Sequence, residues 1–147
     1  MSIRFSSQSG DFNVSCADDV KKWVSEVVMR RGKSVGNINY LFCDDEYLLD
    51  ANKRYLNHDT YTDIITFDYV AGNLVSGDIM ISIDRVGENA VKFGVPFERE
   101  LHRVIIHGVL HLLGQGDKSD EEAAEMRCLE EEALHLFDAM FHVEHNC

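Results

Sequence analysis

The sequence predicts an α+β fold, an α/β-type sandwich in which a small mixed sheet of about four strands is covered by about five helices. Two observations predict it. Runs rich in β-formers come early, up to about Ile83, and long helical runs come late. One late run, Phe97 to Leu113, is apolar enough to be buried against the sheet, and it carries a histidine pair. The chain has 147 residues, 45% hydrophobic and 10% aromatic. It is read as a single domain, 1–147, large enough to bury a core.

Each element has its own signal. Ile3-Arg4-Phe5 reads as a short first strand. Asp18 or Asp19 caps a helix to about Arg31, with Val20, Trp23, Val24, Val27 and Val28 as its apolar stripe and Gly32 as its stop. Val35 to Phe42 alternates as a strand. Asp44 caps a helix to about Leu56, with Tyr47, Leu48, Ala51 and Tyr55 inward. Thr62 to Tyr69 and Gly77 to Ile83 read as a hairpin with Asn73-Leu74-Val75-Ser76 in a medium loop. Ile83 to Phe93 is a helix closed by Gly94. Pro96 opens the histidine helix, and Ser119 opens the last one, which runs to about Phe137.

Composition narrows the function classes. No run of about twenty apolar residues exists, so no membrane span is expected. Met1 to Ser6 lacks an apolar signal core, so the chain is read as cytoplasmic. Cys16, Cys43, Cys128 and Cys147 show no C-x-x-C spacing and are expected to be reduced packing residues. The net charge is −12, and residues 115–147 hold 2 basic and 10 acidic groups, so −8 of it lies there. An acidic protein repels nucleic acid as a whole, so any RNA must meet a local basic face. Lys21, Lys22, Arg30, Arg31, Lys33, Lys53 and Arg54 are candidates, although charge counts alone favour an ordinary solvated helix surface.

The chemistry concentrates in His107-Gly108-Val109-Leu110-His111-Leu112-Leu113-Gly114-Gln115-Gly116-Asp117. Four residues advance about 400° around a helix, so His107 and His111 share a face. Gly114 offers a left-handed stop, and the returning chain brings Asp117 toward the imidazoles. Ser119 and Glu122 supply a capping box for the next helix, leaving Asp117 available. Two imidazoles and a carboxylate form a three-ligand set for catalytic zinc, with a fourth position open to water. The competing reading is a hydrogen-bonded core histidine pair with Asp117 as a turn residue. His102 falls about 140° from His107 and off this face. His142-Val143-Glu144-His145 is one residue short of an H-x-x-E-H arrangement and is read as a decoy. His58, in the polar turn Asn57-His58-Asp59-Thr60, is a candidate for a cleft.

An absence also matters. Zinc peptidases place a general-base glutamate after the first helical histidine, as H-E-x-x-H. Gly108 stands there, and glycine moves no proton. Peptide hydrolysis by that route is disfavoured. Phosphodiester cleavage needs the metal at the anionic oxygen and is often helped by a nearby cation.

These residues, in this order, resemble the YbeY family of ribosome-associated metallo-endoribonucleases, whose signature is H-G-x-L-H-L-x-G-Y-D-H. Thr62-Asp63-Ile64-Ile65-Thr66-Phe67 looks like the family's T-D-V-L-S-F strand, and Gly77-Asp78-Ile79-Met80-Ile81-Ser82 like its G-D-I-x-I-S strand. Asn52 to Tyr55 is similar to its L-N-x-x-Y-R segment, and the likeness spans roughly residues 35–135. The resemblance implies an α/β fold, one Zn2+ per chain and hydrolysis of single-stranded RNA. It also implies work in the cytoplasm on the 3′ end of 16S, the small-subunit ribosomal RNA, and in ribosome quality control, with the small subunit as partner. His107, His111 and Asp117 occupy its metal positions, and Arg54, His58 and Asp63 are candidate substrate contacts. Three departures stand out. Asp117 replaces the third histidine, Leu56 replaces an arginine, for which Arg54 and Arg103 are the candidate substitutes as a cation for the RNA phosphate, and Gln115-Gly116 replaces Tyr-Asp. Three functions are therefore distinguished: a zinc endoribonuclease, a non-catalytic ribosome-assembly factor with a structural metal, and a metallopeptidase.

Overall fold

The structure is a computed structural model that describes residues 2–141. His142, His145 and Cys147 lie outside the described residues. Nine elements follow in order: β1 (Ser2–Ser7), α1 (Ala17–Arg30), β2 (Ser34–Cys43), α2 (Asp45–Leu56), β3 (Ile64–Asp68), β4 (Leu74–Ser82), α3 (Ile83–Phe93), α4 (Phe97–Leu112) and α5 (Asp120–Phe141). The strands form one mixed sheet in the order β1-β2-β4-β3. β1 and β4 run parallel to β2, and β3 is an antiparallel edge. This is the expected α+β architecture.

The sheet is buried along one face and covered only in part on the other, where Asn37 and Asn39 remain exposed. On one face Ile38, Tyr40, Phe42, Ile79 and Ile81 meet α1, α4 and α5 in the main core. On the other face α2 covers a small cluster of Cys43, Leu48, Ala51 and Ile65. Two buried polar groups fasten the main layer. Trp23 Nε1 donates to the Ala133 carbonyl at 2.7 Å, joining α1 to α5. Tyr40 Oη donates to the Ile105 carbonyl at 3.0 Å, joining the sheet to α4. Burial also holds the Tyr40 hydroxyl above its ordinary pKa.

Several expectations need correction. α1 starts at Ala17 behind Cys16, which makes no side-chain capping bond. Asp18 and Asp19 instead lie in the first turn, where the helix dipole favours them. Asp44 does cap α2, accepting from the Tyr47 amide at 2.8 Å. Its buried residues are Leu48, Ala51 and Asn52, whereas Tyr47 and Tyr55 are exposed. The covered strip is one narrow i, i+3, i+4 row, and Asn52 is buried because its Nδ2 donates to the Thr60 carbonyl. The β3–β4 connection is a tight turn, since Ala71 and Leu74 exchange both backbone hydrogen bonds and Gly72 takes φ 60°. β4 accordingly begins at Leu74, and α5 runs on to Phe141. Cys43 and Cys128 are free, but Cys16 is disulfide-bonded. Sequence spacing does not reveal which sulfurs meet in space.

Candidate metal centre

Gly108 fixes where the histidines point. A Cβ there would lie 3.0 Å from Ile79 Cδ1 and 3.1 Å from Ile64 Cδ1. α4 therefore presses this position against the sheet, and the next row of the helix carries His107 and His111 along its flank. Their rings meet edge to face with centroids 4.6 Å apart. The helix ends through Gly114 at φ 98°, with the Gln115 amide bonding back to the Leu110 carbonyl. The chain reverses, and the Ser119–Glu122 capping box starts α5: Ser119 Oγ accepts from the Glu122 amide, and Glu122 Oε1 accepts from the Ser119 amide.

That reversal delivers Asp117. Its Oδ2 stands 3.5 Å from His107 Nε2 and 3.4 Å from His111 Nε2. One ligand atom from each residue lies within 4.8 Å of the others. Tetrahedral zinc ligands at about 2.0–2.2 Å from the ion lie about 3.3–3.6 Å from one another, so the two carboxylate–imidazole separations have the length of tetrahedral edges. The residues fit the ion. His107 is the most enclosed of the three, and Asp117 is the most open.

Sequence reasoning did not single out Glu130 and Glu100, the buried carboxylates behind His107. Its Nδ1 lies 2.6 Å from Oε2 of Glu130, on α5. Glu130 Oε1 accepts from Arg103 Nη1 at 3.1 Å. Arg103 also donates through Nε and Nη2 to the buried Glu100 carboxylate. The hydrogen bond to Glu100, and beyond it the Glu130 charge, raise the Arg103 pKa above its ordinary value. The guanidinium proposed as a cation for phosphate is thus engaged by two carboxylates. Asp63 Oδ2 lies 3.9 Å from it, just before β3.

The other candidates sit elsewhere. Arg54 is exposed on α2 and pairs with Asp50 of its own helix at 2.9 Å. His58 is exposed in the loop after α2, with no described side-chain contact to the cluster. Leu56 is also exposed. His102 is buried between Trp23 and Phe137, as a core residue off the metal face. A cleft of about 660 Å³ opens beside the centre between α4 and α5, lined in part by His107, Asp117, Arg103, Arg127 and Met126.

The model of the family described as Endoribonuclease YbeY matches residues 4–138. The chain belongs to the endoribonuclease YbeY family. A Flavobacterium psychrophilum protein named Endoribonuclease YbeY is 54% identical over 136 residues, covering 92% of this chain and 94% of the relative. One of the same name from Christiangramia forsetii is 47% identical, covering 97% and 96%. The solution structure of TM1509 from Thermotoga maritima superposes with a TM-score of 0.67 at 25% identity, covering 95% of this chain and 91% of that one. The family's fold is therefore present along nearly the whole length. No helix among the described residues is long and apolar enough to cross a membrane.

Proposed function

We propose that this chain is a zinc-dependent endoribonuclease that cuts single-stranded RNA, with small-subunit ribosomal RNA and its 3′-end maturation as the cytoplasmic task. The observation that carries the reading is the convergence of ligand atoms of His107, His111 and Asp117 within 4.8 Å of one another, with Asp117 Oδ2 at 3.5 and 3.4 Å from the two imidazoles, inside a family of endoribonucleases. When bound there, zinc supplies Lewis acidity toward a phosphate oxygen and acidifies a water near neutral pH.

The residues of the chain divide the remaining work. His107, His111 and Asp117 would hold the ion. Asp117 brings a negative charge where the family signature has an imidazole, which tempers that acidification. Gly108 rules out a general base at its own position, because any side chain there meets the sheet and not the cleft. That weighs against a peptidase of the H-E-x-x-H kind. The non-catalytic assembly-factor reading keeps one specific support: Arg103 is engaged by carboxylates, and Leu56 carries no charge.

Cleavage of a labelled single-stranded RNA separates the two. Zinc-loaded wild type should cut it, while a chelator or His111→Ala should stop the cut. Unchanged cleavage by His111→Ala removes the zinc mechanism. No cleavage by the wild type, with retained co-sedimentation on small ribosomal subunits, favours the assembly factor.

A further inference from the structure

Behind the metal centre lies the densest buried charge among the described residues. Glu130 is 3% exposed and Glu100 2%. Carboxylates are costly to bury unless each is paired and hydrogen-bonded. Here one guanidinium, Arg103, serves both, with Asp63 at 3.9 Å as a third acidic neighbour. These groups come from α4, from α5 and from the segment before β3. A well-packed apolar contact would join α4 to α5 at least as firmly, so interhelix stability does not account for the arrangement.

The end of the chain of contacts does account for it. Glu130 Oε2 meets His107 Nδ1 at 2.6 Å, and an ionised carboxylate can only accept. The proton of the neutral ring therefore sits on Nδ1. The lone pair then sits on Nε2, the nitrogen that faces Asp117 at 3.5 Å. This is the tautomer that a ligand bound through Nε2 requires.

We propose that Glu130 is the positioning residue of the metal centre, holding His107 in its Nε2-ligating tautomer, and that Arg103 and Glu100 fix Glu130 in place. The proposal rests on the metal reading of His107, His111 and Asp117. It explains why Arg103 is held by three hydrogen bonds to two buried carboxylates and assigns it to the support of a ligand, not to the substrate phosphate. The glutamate also adds negative charge behind the ring, which strengthens the imidazole as a donor.

Zinc affinity of the full-length protein, measured by competition with a chromophoric chelator, tests it without reference to catalysis. Glu130→Ala should weaken zinc binding by about 10–100-fold. Glu130→Gln keeps an acceptor for Nδ1–H and should recover part of that loss. Glu130→Ala that is folded and binds zinc as tightly as wild type overturns the proposal, as does Glu130→Gln that is as weak as alanine. Should Glu130→Ala fail to fold, the zinc-loaded wild type decides. Long-range 15N–1H correlations of His107 should show the proton on Nδ1 and the metal on Nε2. The reverse assignment overturns the positioning role while leaving the metal centre standing. Wild type that binds no zinc overturns the metal reading, and the positioning role with it.

Discussion

Replacing Gly108 by alanine sets two effects against each other. Within a helix, alanine is favoured over glycine by about 1 kcal/mol. At this position the new Cβ would stand 3.0 Å from Ile79 Cδ1, 3.1 Å from Ile79 Cγ2 and 3.1 Å from Ile64 Cδ1. Relaxed carbon contacts lie at about 3.5–4.0 Å, so α4 must lift or two isoleucines must shift by roughly half an ångström. Overpacking of this kind costs about 1–3 kcal/mol. Ile79 is fully buried and has little room to give. The steric cost wins, and the net expectation is a loss of about 1 kcal/mol, a fall in Tm of about 2–4 °C for a domain of this size. Urea unfolding of the metal-free protein is the assay, because ion binding then contributes nothing to the difference. Gly108→Glu sharpens it by driving a carboxylate into the same apolar contact, at a cost of several kcal/mol. An alanine variant as stable as wild type, or a glutamate variant with an unshifted midpoint, would refute the close approach of α4 to the sheet.

Two further perturbations follow from the same structure. Arg103→Ala leaves the buried Glu100 without its cation and Glu130 with only His107, and should cost about 3–5 kcal/mol in urea unfolding, whereas Arg54→Ala breaks an exposed pair and should change stability by less than about 1 kcal/mol. Equal effects of the two would contradict the burial of the first network. Burial, helped by Asp44, Asp45 and Asp84, pushes the Cys43 thiol from 9.0 up to about 12. Between those values the unfolded chain has lost the proton that the folded chain keeps, so stability should fall as pH rises through this window, and less steeply in Cys43→Ala. Native alkylation at pH 8 should modify exposed Cys128 well before Cys43, and equal labelling rates would count against this account.

The parts legible in the sequence were those set by local chemistry. The i, i+4 histidines, the αL stop at Gly114 and the Ser119–Glu122 capping box together released Asp117 toward the imidazoles, and the structure brings these three together. Less legible were features decided by tertiary contact. Glu130 lies 23 residues from His107 on an acidic helix and blends with Glu131 and Glu132. A signal existed nonetheless: Met126, Glu130, Leu134 and Phe137 form one row of α5, so a carboxylate interrupts its buried stripe. Glu100, Arg103, His107 and His111 likewise follow one row of α4. The Gly72-Asn73 pair makes a tight hairpin turn, so β4 starts before the medium loop that the sequence predicts there would end. Tyr47 and Tyr55 fit a helical stripe, but the sheet face beneath α2 is narrower than the stripe, and both rings remain in solvent.

Zinc content per chain, measured by mass spectrometry of the metal after equilibration at a fixed free zinc concentration, tests the central claim most directly. The wild type should carry one ion, and the His107→Ala/His111→Ala double variant none. A wild type that holds no zinc, or a double variant that still holds one ion per chain, would contradict the assignment of these side chains as the metal centre.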